Sequence, residues 1–290
     1  MISDLPEIIT RPLVQAALSE DLGRRGDVTS QAVIPADRMA AFSIVTRVPG
    51  VVCGLDLARQ SFALMNENLE FTAYKNDGEV IAAGTVLARV AGNARAILAA
   101  ERTALNFLTH LSGIATTTHK IQKSIAHTGA QLTCTRKTIP NLRIVQKYAV
   151  RMGRGRNHRM GLDDAILIKD NHIALSGGDI IAAVKQAKSY AGHLIAVEVE
   201  VDTLEQLRQV LDIGVSLVLL DNMSIEEMRT AVSWCKGRCQ TEASGNLRPD
   251  TVVAAAETGV DFLAMGYLTH SALYLDIGLD YADNQNILKK

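Results

Sequence analysis

The 290-residue sequence has few cysteines and almost no net charge, and each shortage narrows the classes of protein to consider. Its cysteines form no pair of CxxC motifs, and no histidine lies near Cys235 or Cys239. We therefore expect reduced thiols rather than a structural zinc site. A net charge of -1 gives no reason to expect the whole chain to bind nucleic acid or a membrane surface.

The sequence also lacks a recognisable targeting or membrane segment. Residues 1–10, MISDLPEIIT, have neither the basic start nor the apolar centre of a signal peptide. No run approaches the roughly 18 apolar residues that a membrane-spanning helix needs. We therefore predict a cytoplasmic protein. Its 48% apolar and 21% charged residues are typical of a globular protein with a sizeable core.

Positive charge is concentrated in one segment of this near-neutral chain. Between Arg136 and Asp170 there are nine Lys or Arg and three Asp, a local balance of +6, which leaves -7 for the rest. Such a local patch suits a small anionic ligand better than a long polyanion. The same segment contains His158 and His172, which could act as acid or base. Because both lie among cations, we favour hydrogen-bond donation to an anion.

The C-terminal half repeats a strand followed by a helix. Helical patterns follow two of the apolar runs, beginning at the capping residues Thr203 and Ser224 and ending on glycine. Strands alternating with helices predict a parallel sheet, and six such units favour a closed or nearly closed α/β barrel over a doubly wound sheet. The six runs start at Gln131, Asp164, Ala196, Leu217, Cys239 and Phe262.

The first hundred residues follow a different pattern. Short runs such as MAAFSIVTRVPGVV, separated by Gly, Asn and Asp turns, predict an antiparallel module. A long helical stretch begins after Gly92 and Asn93. The predicted fold class is therefore α+β followed by α/β: an N-terminal open, sandwich-like β module and an incomplete or irregular α/β barrel.

Charged and polar residues follow the ends of the predicted barrel strands, where the active site of such a barrel lies. Alternation along AVEVEV places Glu198 and Glu200 on one face and the valines on the other. These carboxylates could belong to a binding site or to a buried salt-bridge network with Lys169 and Arg136. For a single strand the sequence favours neither interpretation. Because charged or polar residues follow five strand ends together, the sequence favours a binding site.

Glycine-containing loops after the last two strands, EASGN and MGYLTHS, add a candidate phosphate site. Taken with the basic segment, they predict a ligand with several negative charges. The nearby carboxylates suit a hydrated Mg²⁺, which proteins bind through one or two carboxylates and substrate phosphates. No arrangement of Ser, His and Asp, or of Cys and His, indicates acyl transfer.

Nine ordered motifs resemble the quinolinate phosphoribosyltransferase family, also called carboxylating nicotinate-nucleotide pyrophosphorylases, and they cover nearly the whole chain. The motifs are EDLGRRGDVTS, AERTALNFL, TRKTIPNLR, KYAV, GRGRNHRMGLDDAILIKDNHI, VEVEV, LLDNMS, EASGN and MGYLTHS. The resemblance implies that quinolinate and phosphoribosyl pyrophosphate react, with Mg²⁺, to give nicotinate mononucleotide, pyrophosphate and CO₂. It also implies a homodimer, or a higher oligomer, whose sites are completed by the neighbouring subunit. We place a sandwich domain at 1–112 with a return at 271–290, and the barrel at 113–270.

The resemblance also assigns roles to individual residues. Lys137, Glu198 and Asp221 are implied to be catalytic, and Glu198 and Asp221 to act, directly or indirectly, on the metal. Quinolinate would be bound by Arg102 (from the other subunit), Arg136, Lys137, His158, Arg159 and Lys169. The 5′-phosphate would be bound by Ser244, Gly245, Asn246 and Gly266.

Two departures from the family pattern stand out. Asn141 occupies a position that is usually glycine, and asparagine tolerates a left-handed backbone better than most residues. The family pattern GGGxNHR reads GRGRNHR here, so Arg154 and Arg156 are extra cations beside the site. We favour solvated surface charges over tighter polyphosphate binding.

Two alternative functions stay open. A paralogue could act on a different ring, although a substrate with one acid group or none would not need Arg102, Arg136, Arg159 and Lys169 together. A non-catalytic anion-binding barrel would gain nothing from Glu198 and Asp221.

Overall fold

The computed structural model describes residues 5–282, which form two compact units. The first unit comprises residues up to 119, residues 140–154 and residues from 272 onward; the second comprises 120–139 and 155–271. The domain limits inferred from the sequence stay a prediction. These units differ from them mainly at 140–154, which group with the first unit, and residues 283–290 of the predicted return lie outside the described residues.

Strands and helices alternate regularly only in the second half of the chain. The strands are β1 Met39–Thr46, β2 Gly50–Val51, β3 Glu70–Ala73, β4 Val80–Ile81, β5 Val86–Asn93, β6 Gln131–Thr133, β7 Ala165–Ile168, β8 Ala196–Val201, β9 Leu217–Asp221, β10 Gln240–Ser244, β11 Phe262–Ala264 and β12 Ile277–Tyr281. The helices are α1 Glu7–Leu22, α2 Val28–Val33, α3 Leu55–Met65, α4 Ala94–Ser124, α5 Arg143–Met152, α6 Asp170–Leu175, α7 Ile180–Tyr190, α8 Leu204–Asp212, α9 Ile225–Cys235, α10 Val252–Ala256 and α11 Tyr267–His270.

The first unit is built on a four-stranded antiparallel sheet with the order β12-β1-β5-β3. Apolar side chains of β1 and β5, such as Ile44 and Val90, pack in one core with Phe62 of α3 and Ile97 of α4. Helices therefore cover one face of the sheet, and the antiparallel N-terminal module predicted from the sequence is confirmed. The long helix predicted after Asn93 is α4, which begins at Ala94.

The second unit is a six-stranded parallel sheet with the order β6-β11-β10-β9-β8-β7. All six predicted strands are present. Among the described residues no ladder joins the outer strands β6 and β7, so the barrel is incomplete, as predicted. Arg156 instead bridges the open edge of β6: its N–H donates to Leu132 O at 2.8 Å, and its carbonyl accepts from Cys134 N at 3.2 Å.

The helices of this unit begin at the predicted capping residues. Thr203 and Gln206 exchange side-chain and backbone hydrogen bonds at the start of α8, and Ser224 and Glu227 do the same at α9. These reciprocal bonds satisfy amide groups that have no partner within the helix. Within residues 5–282, none of the helices combines the length and apolar character that crossing a membrane requires.

Candidate active site

A cavity of about 760 Å³ opens in the second unit, at the C-terminal ends of the parallel strands. This is the end at which α/β barrels carry their active sites. Of the residues assigned from the sequence, all except Arg102 and Glu198 line it. The lining set is Arg136, Lys137, His158, Arg159, Lys169, Asp221, Ser244, Gly245, Asn246 and Gly266.

Two guanidinium groups, from Arg136 and Arg159, form the basic side of the cavity. Arg159 donates from Nη1 to the carbonyl of Ala165 at 3.0 Å, which fixes its head group. Burial, and then the charge of Arg136, lower the pKa of Arg159 below its ordinary value. The Nε of Arg136 is buried without a hydrogen-bond partner among the described residues. Two neighbouring cations on one side of the cavity favour an anion there.

His158 connects the cavity to two buried carboxylates. Its Nε2 lies 2.9 Å from Oε2 of Glu198 and 3.7 Å from Oε2 of Glu242. Its Nδ1 accepts the amide hydrogen of Arg159 at 2.8 Å. We therefore assign the neutral ring with its proton on Nε2, since an accepting Nδ1 has no proton. His158 donates to an anion, as expected, but that anion is the protein's own Glu198.

Glu242 was not predicted from the sequence, yet it is as deeply buried as Glu198, each 3% exposed. Thr133 donates its hydroxyl to Oε1 of Glu242 at 2.6 Å. Burial, followed by the negative charge of Glu198, raises the pKa of Glu242 to about 7. Two carboxylates in one buried space cannot both ionise easily, so Glu242 is still partly protonated at neutral pH.

A second acidic group lies at the ends of β8 and β9. Carboxylate oxygens of Glu200, Asp202 and Asp221 all lie within 4.8 Å of one another. Lys169 donates from Nζ to Oε2 of Glu200. Burial is the main cause of the raised pKa of Glu200, and Lys169 opposes it. The two predicted metal ligands, Glu198 and Asp221, thus fall in different clusters of candidate ligands.

The loops after β9 and β10 are held in left-handed conformations. Gly245 has φ +94°, and Asn222 and Asn246 have φ +53° and +51°. A Cβ on Gly245 would lie 2.7 Å from the backbone nitrogen of Asn222, so both its dihedral angle and the available space require glycine. The amide of Asn222 donates to Ser244 O at 3.1 Å, which ties the two loops together.

The other candidate histidine, His172, has a local structural role. Its Nδ1 accepts the backbone N–H of Lys169 at 3.0 Å and so caps the start of α6. It does not line the cavity described above. An acid, base or anion-binding role for His172 has no support in this geometry.

Sequence reasoning also gave no individual role to several residues that line the cavity, among them Arg248, Tyr267 and His270. Glu242 could have been found, because alternation along QTEAS places it on the same face as the other strand carboxylates. Arg248 gave no signal, since an arginine after a loop is usually a solvated surface residue.

Comparison with known proteins identifies the chain's relatives. The model of the quinolinate phosphoribosyl transferase N-terminal domain matches residues 27–112, and the model of the C-terminal domain matches 114–280. The chain belongs to this family. The resemblance read from the motifs is therefore confirmed.

Individual relatives in the family are similar over most or all of their length. The carboxylating nicotinate-nucleotide pyrophosphorylase of Mycobacterium leprae is 42% identical over 288 residues, covering 97% of this chain and 100% of that one. The probable carboxylating enzyme of Bacillus subtilis is 40% identical over 261 residues, covering 90% and 89%. The structure of nicotinate-nucleotide pyrophosphorylase from Francisella tularensis matches with a TM-score of 0.92 and 40% identity, over 97% of this chain and 99% of that one.

The departures from the family's glycine pattern have visible backbone consequences. Asn141 has φ +64°, so asparagine does adopt the left-handed conformation expected of it. Arg154 also has a positive φ, +70°, in a region that costs a non-glycine residue roughly 1–2 kcal/mol. The side chains of Arg154 and Arg156 are exposed and do not line the cavity.

Arg102 differs from the other residues implied by the family because it belongs to the first unit. It lies on α4 with an exposed side chain. Among the described residues its guanidinium makes no hydrogen bond or ion pair, and its charge acts on neighbouring Glu101. Within residues 5–282, no side chain or backbone group holds the head group of Arg102 by a hydrogen bond or ion pair.

Proposed function

We propose that this member of the quinolinate phosphoribosyl transferase family transfers the phosphoribosyl group of phosphoribosyl pyrophosphate to quinolinate. The products would be nicotinate mononucleotide, pyrophosphate and CO₂, a step in NAD biosynthesis. One observation carries the proposal: a single cavity combines a pair of guanidiniums, two glycine-containing loops and the strand-end carboxylate of Asp221, and its His158 contacts buried Glu198. A dicarboxylate and a polyphosphate sugar need the first two, and a cationic transition state needs the third.

The reaction requires no protein nucleophile. Pyrophosphate leaves C1 of the ribose with the bonding electron pair, and the pyridine nitrogen of quinolinate attacks that carbon. The ring nitrogen becomes cationic, so the adjacent carboxylate is lost as CO₂, and the electron pair left on the ring carbon takes up a proton. Arg136 and Arg159 would orient the two carboxylates, while Lys137 and Lys169 would add positive charge around the substrates.

Buried Glu198 would stabilise positive charge that develops on the ribose, because an ionised carboxylate acts strongly in a water-poor site. Its hydrogen bond from His158 holds it in place. The glycine loops would hold the 5′-phosphate through backbone N–H groups.

Mg²⁺ is the metal we propose for the reaction. Oxygen ligands from Glu200, Asp202 and Asp221 suit this ion, and Asp221 lines the cavity. When bound, Mg²⁺ would neutralise charge on the pyrophosphate. Glu198 is a poorer direct ligand, since the His158 hydrogen bond already occupies one of its oxygens.

We further propose a homodimer in the cytoplasm. The exposed guanidinium of Arg102, without a partner in its own described chain, supports a role in a neighbouring subunit's site. Both assignments can be checked directly, by sedimentation of the purified protein and by fractionation of the cells that contain it.

The decisive experiment supplies quinolinate, phosphoribosyl pyrophosphate and Mg²⁺ to the purified protein and measures nicotinate mononucleotide. We expect turnover with quinolinate and at least about a hundredfold less with nicotinate, because the missing carboxylate leaves desolvated cations unpaired. Comparable use of both acids, or of another ring in preference, would favour a paralogous activity. Tight binding of both substrates without product would instead indicate an anion-binding barrel.

A further inference from the structure

Arg248 is a charged residue of the cavity to which neither the motifs nor the family resemblance gives a role. It lies two residues after Asn246, the last residue of the Ser244–Gly245–Asn246 loop, and the residue between them, Leu247, is buried. Both Asn246 and Arg248 line the cavity. Arg248 thus belongs to the same wall as the candidate phosphate loop, on the side of the sheet formed by β10 and β11.

Arg248 supplies a positive charge to this wall, and no described residue pairs with it. Among the cavity-lining residues contributed by β10, β11 and the loops that follow them, Arg248 is the one lysine or arginine within the described chain. Its guanidinium makes no ion pair or hydrogen bond with any residue in 5–282, and its side chain is exposed. The head group is therefore available to a ligand.

The backbone of Arg248 is held although its head group is not. Its N–H donates to Oγ1 of Thr251 at 3.0 Å. Its carbonyl accepts from the amides of Thr251 and Val252 at 3.1 and 2.9 Å. These bonds fix the Cα beside the loop, so only side-chain freedom is lost when a ligand binds.

We propose that Arg248 grips the 5′-phosphate of the ribose, adding a charged, bidentate contact to the backbone N–H groups of the loop. This inference rests on the proposed function and deepens it, because it names a residue that distinguishes phosphorylated from unphosphorylated sugars. A planar guanidinium can donate two parallel hydrogen bonds to a phosphate, which lysine cannot do.

The test compares Arg248→Ala, Arg248→Lys and the control Arg229→Ala, an exposed arginine on α9 that does not line the cavity. Calorimetry would measure the affinities for nicotinate mononucleotide, for nicotinate riboside, which lacks the phosphate, and for pyrophosphate. We expect Arg248→Ala to weaken nicotinate mononucleotide binding about ten- to a hundredfold, with riboside and pyrophosphate unchanged. Arg248→Lys should recover part of the loss, and Arg229→Ala should bind as the wild type does.

Kinetics give an independent reading. The KM for phosphoribosyl pyrophosphate should rise in Arg248→Ala, while the KM for quinolinate stays constant. A wild-type protein that turns over its substrates, with an alanine variant that binds the mononucleotide normally, would overturn this inference but leave the proposed function intact. Weakened binding of pyrophosphate alone would also overturn it, by moving Arg248 to the leaving group. Absence of wild-type turnover would count against the proposed function itself.

Discussion

Glu198 and Glu242 are buried carboxylates that face the same nitrogen atom, Nε2 of His158, at 2.9 and 3.7 Å. With His158 assigned as neutral, no full positive charge separates them. Burial, followed by the negative charge of Glu198, raises the pKa of Glu242 to about 7, because two carboxylates in one buried space repel each other when both are ionised.

The raised pKa of Glu242 predicts that the protein loses stability as the pH rises through this range. Between the ordinary value of 4.5 and about 7, folded Glu242 holds a proton that the unfolded chain has released. The unfolded state then binds fewer protons, so the free energy of unfolding falls with rising pH. Outside that window both states are equally protonated at this site and the slope disappears. The total loss is of the order of 3 kcal/mol.

Glu242→Gln keeps the size and the neutral form of this side chain. We expect its free energy of unfolding in urea to be close to the wild-type value near about pH 5 and above it near about pH 8. Glu226→Gln, an exposed change on α9, should follow the wild type. Parallel curves for wild type and Glu242→Gln would show that the proton resides elsewhere.

Removing the charge of Glu198 should slow the chemical step. Glu198→Gln still offers an oxygen to His158 but cannot stabilise positive charge on the ribose as strongly. We expect kcat to fall by about a hundredfold, equivalent to a few kcal/mol of transition-state stabilisation, with circular dichroism unchanged. Glu205→Gln, on the surface of α8, serves as the control. A nearly normal kcat would mean that Glu198 only positions His158.

Substitution by glycine should raise the free energy of unfolding at Arg154 and lower it at Arg156. Arg154 has φ +70°, so Arg154→Gly removes backbone strain, partly offset by the flexibility that glycine gives the unfolded chain. We expect a gain of roughly 0.5 kcal/mol. Arg156 lacks a positive φ and bridges β6, so Arg156→Gly should lose about 0.5–1 kcal/mol. Urea unfolding of both variants measures the difference, and equal losses would show that Arg154 is unstrained.

Much of this architecture follows from short-range rules that a sequence displays. Alternation along AVEVEV and the capping residues Thr203 and Ser224 each reflect local chemistry, and these elements appear where predicted. Alternation along QTEAS places Glu242 on the face of the other strand carboxylates, but its raised pKa depends on burial and on nearby Glu198, which only the folded structure shows. The role of His158 depends on which anion is nearest, and that is decided by strands remote in sequence.

Arg102 provides the test of the proposed dimer. The family resemblance implies that its helix contributes this arginine to the partner's quinolinate pocket, and its exposed head group has no hydrogen-bond or ion-pair partner among the described residues of its own chain. If so, a monomer cannot complete a site. Arg102→Ala and Glu198→Ala homodimers should then both be inactive, because every site carries one defect. Each protein alone would be measured first to establish this baseline.

Mixing these two inactive proteins under conditions that exchange subunits should restore activity. In a mixed dimer, one site combines the native Arg102 of one subunit with the native Glu198 of the other, while the second site carries both defects. With equal amounts of each protein, about half the dimers would be mixed and each would hold one intact site, so roughly a quarter of wild-type activity is expected from random pairing. Arg102→Ala protein alone, taken through the same exchange procedure, serves as the control and should stay inactive. If mixed dimers form, as native mass spectrometry would show, yet activity does not return, Arg102 serves its own chain's site or none.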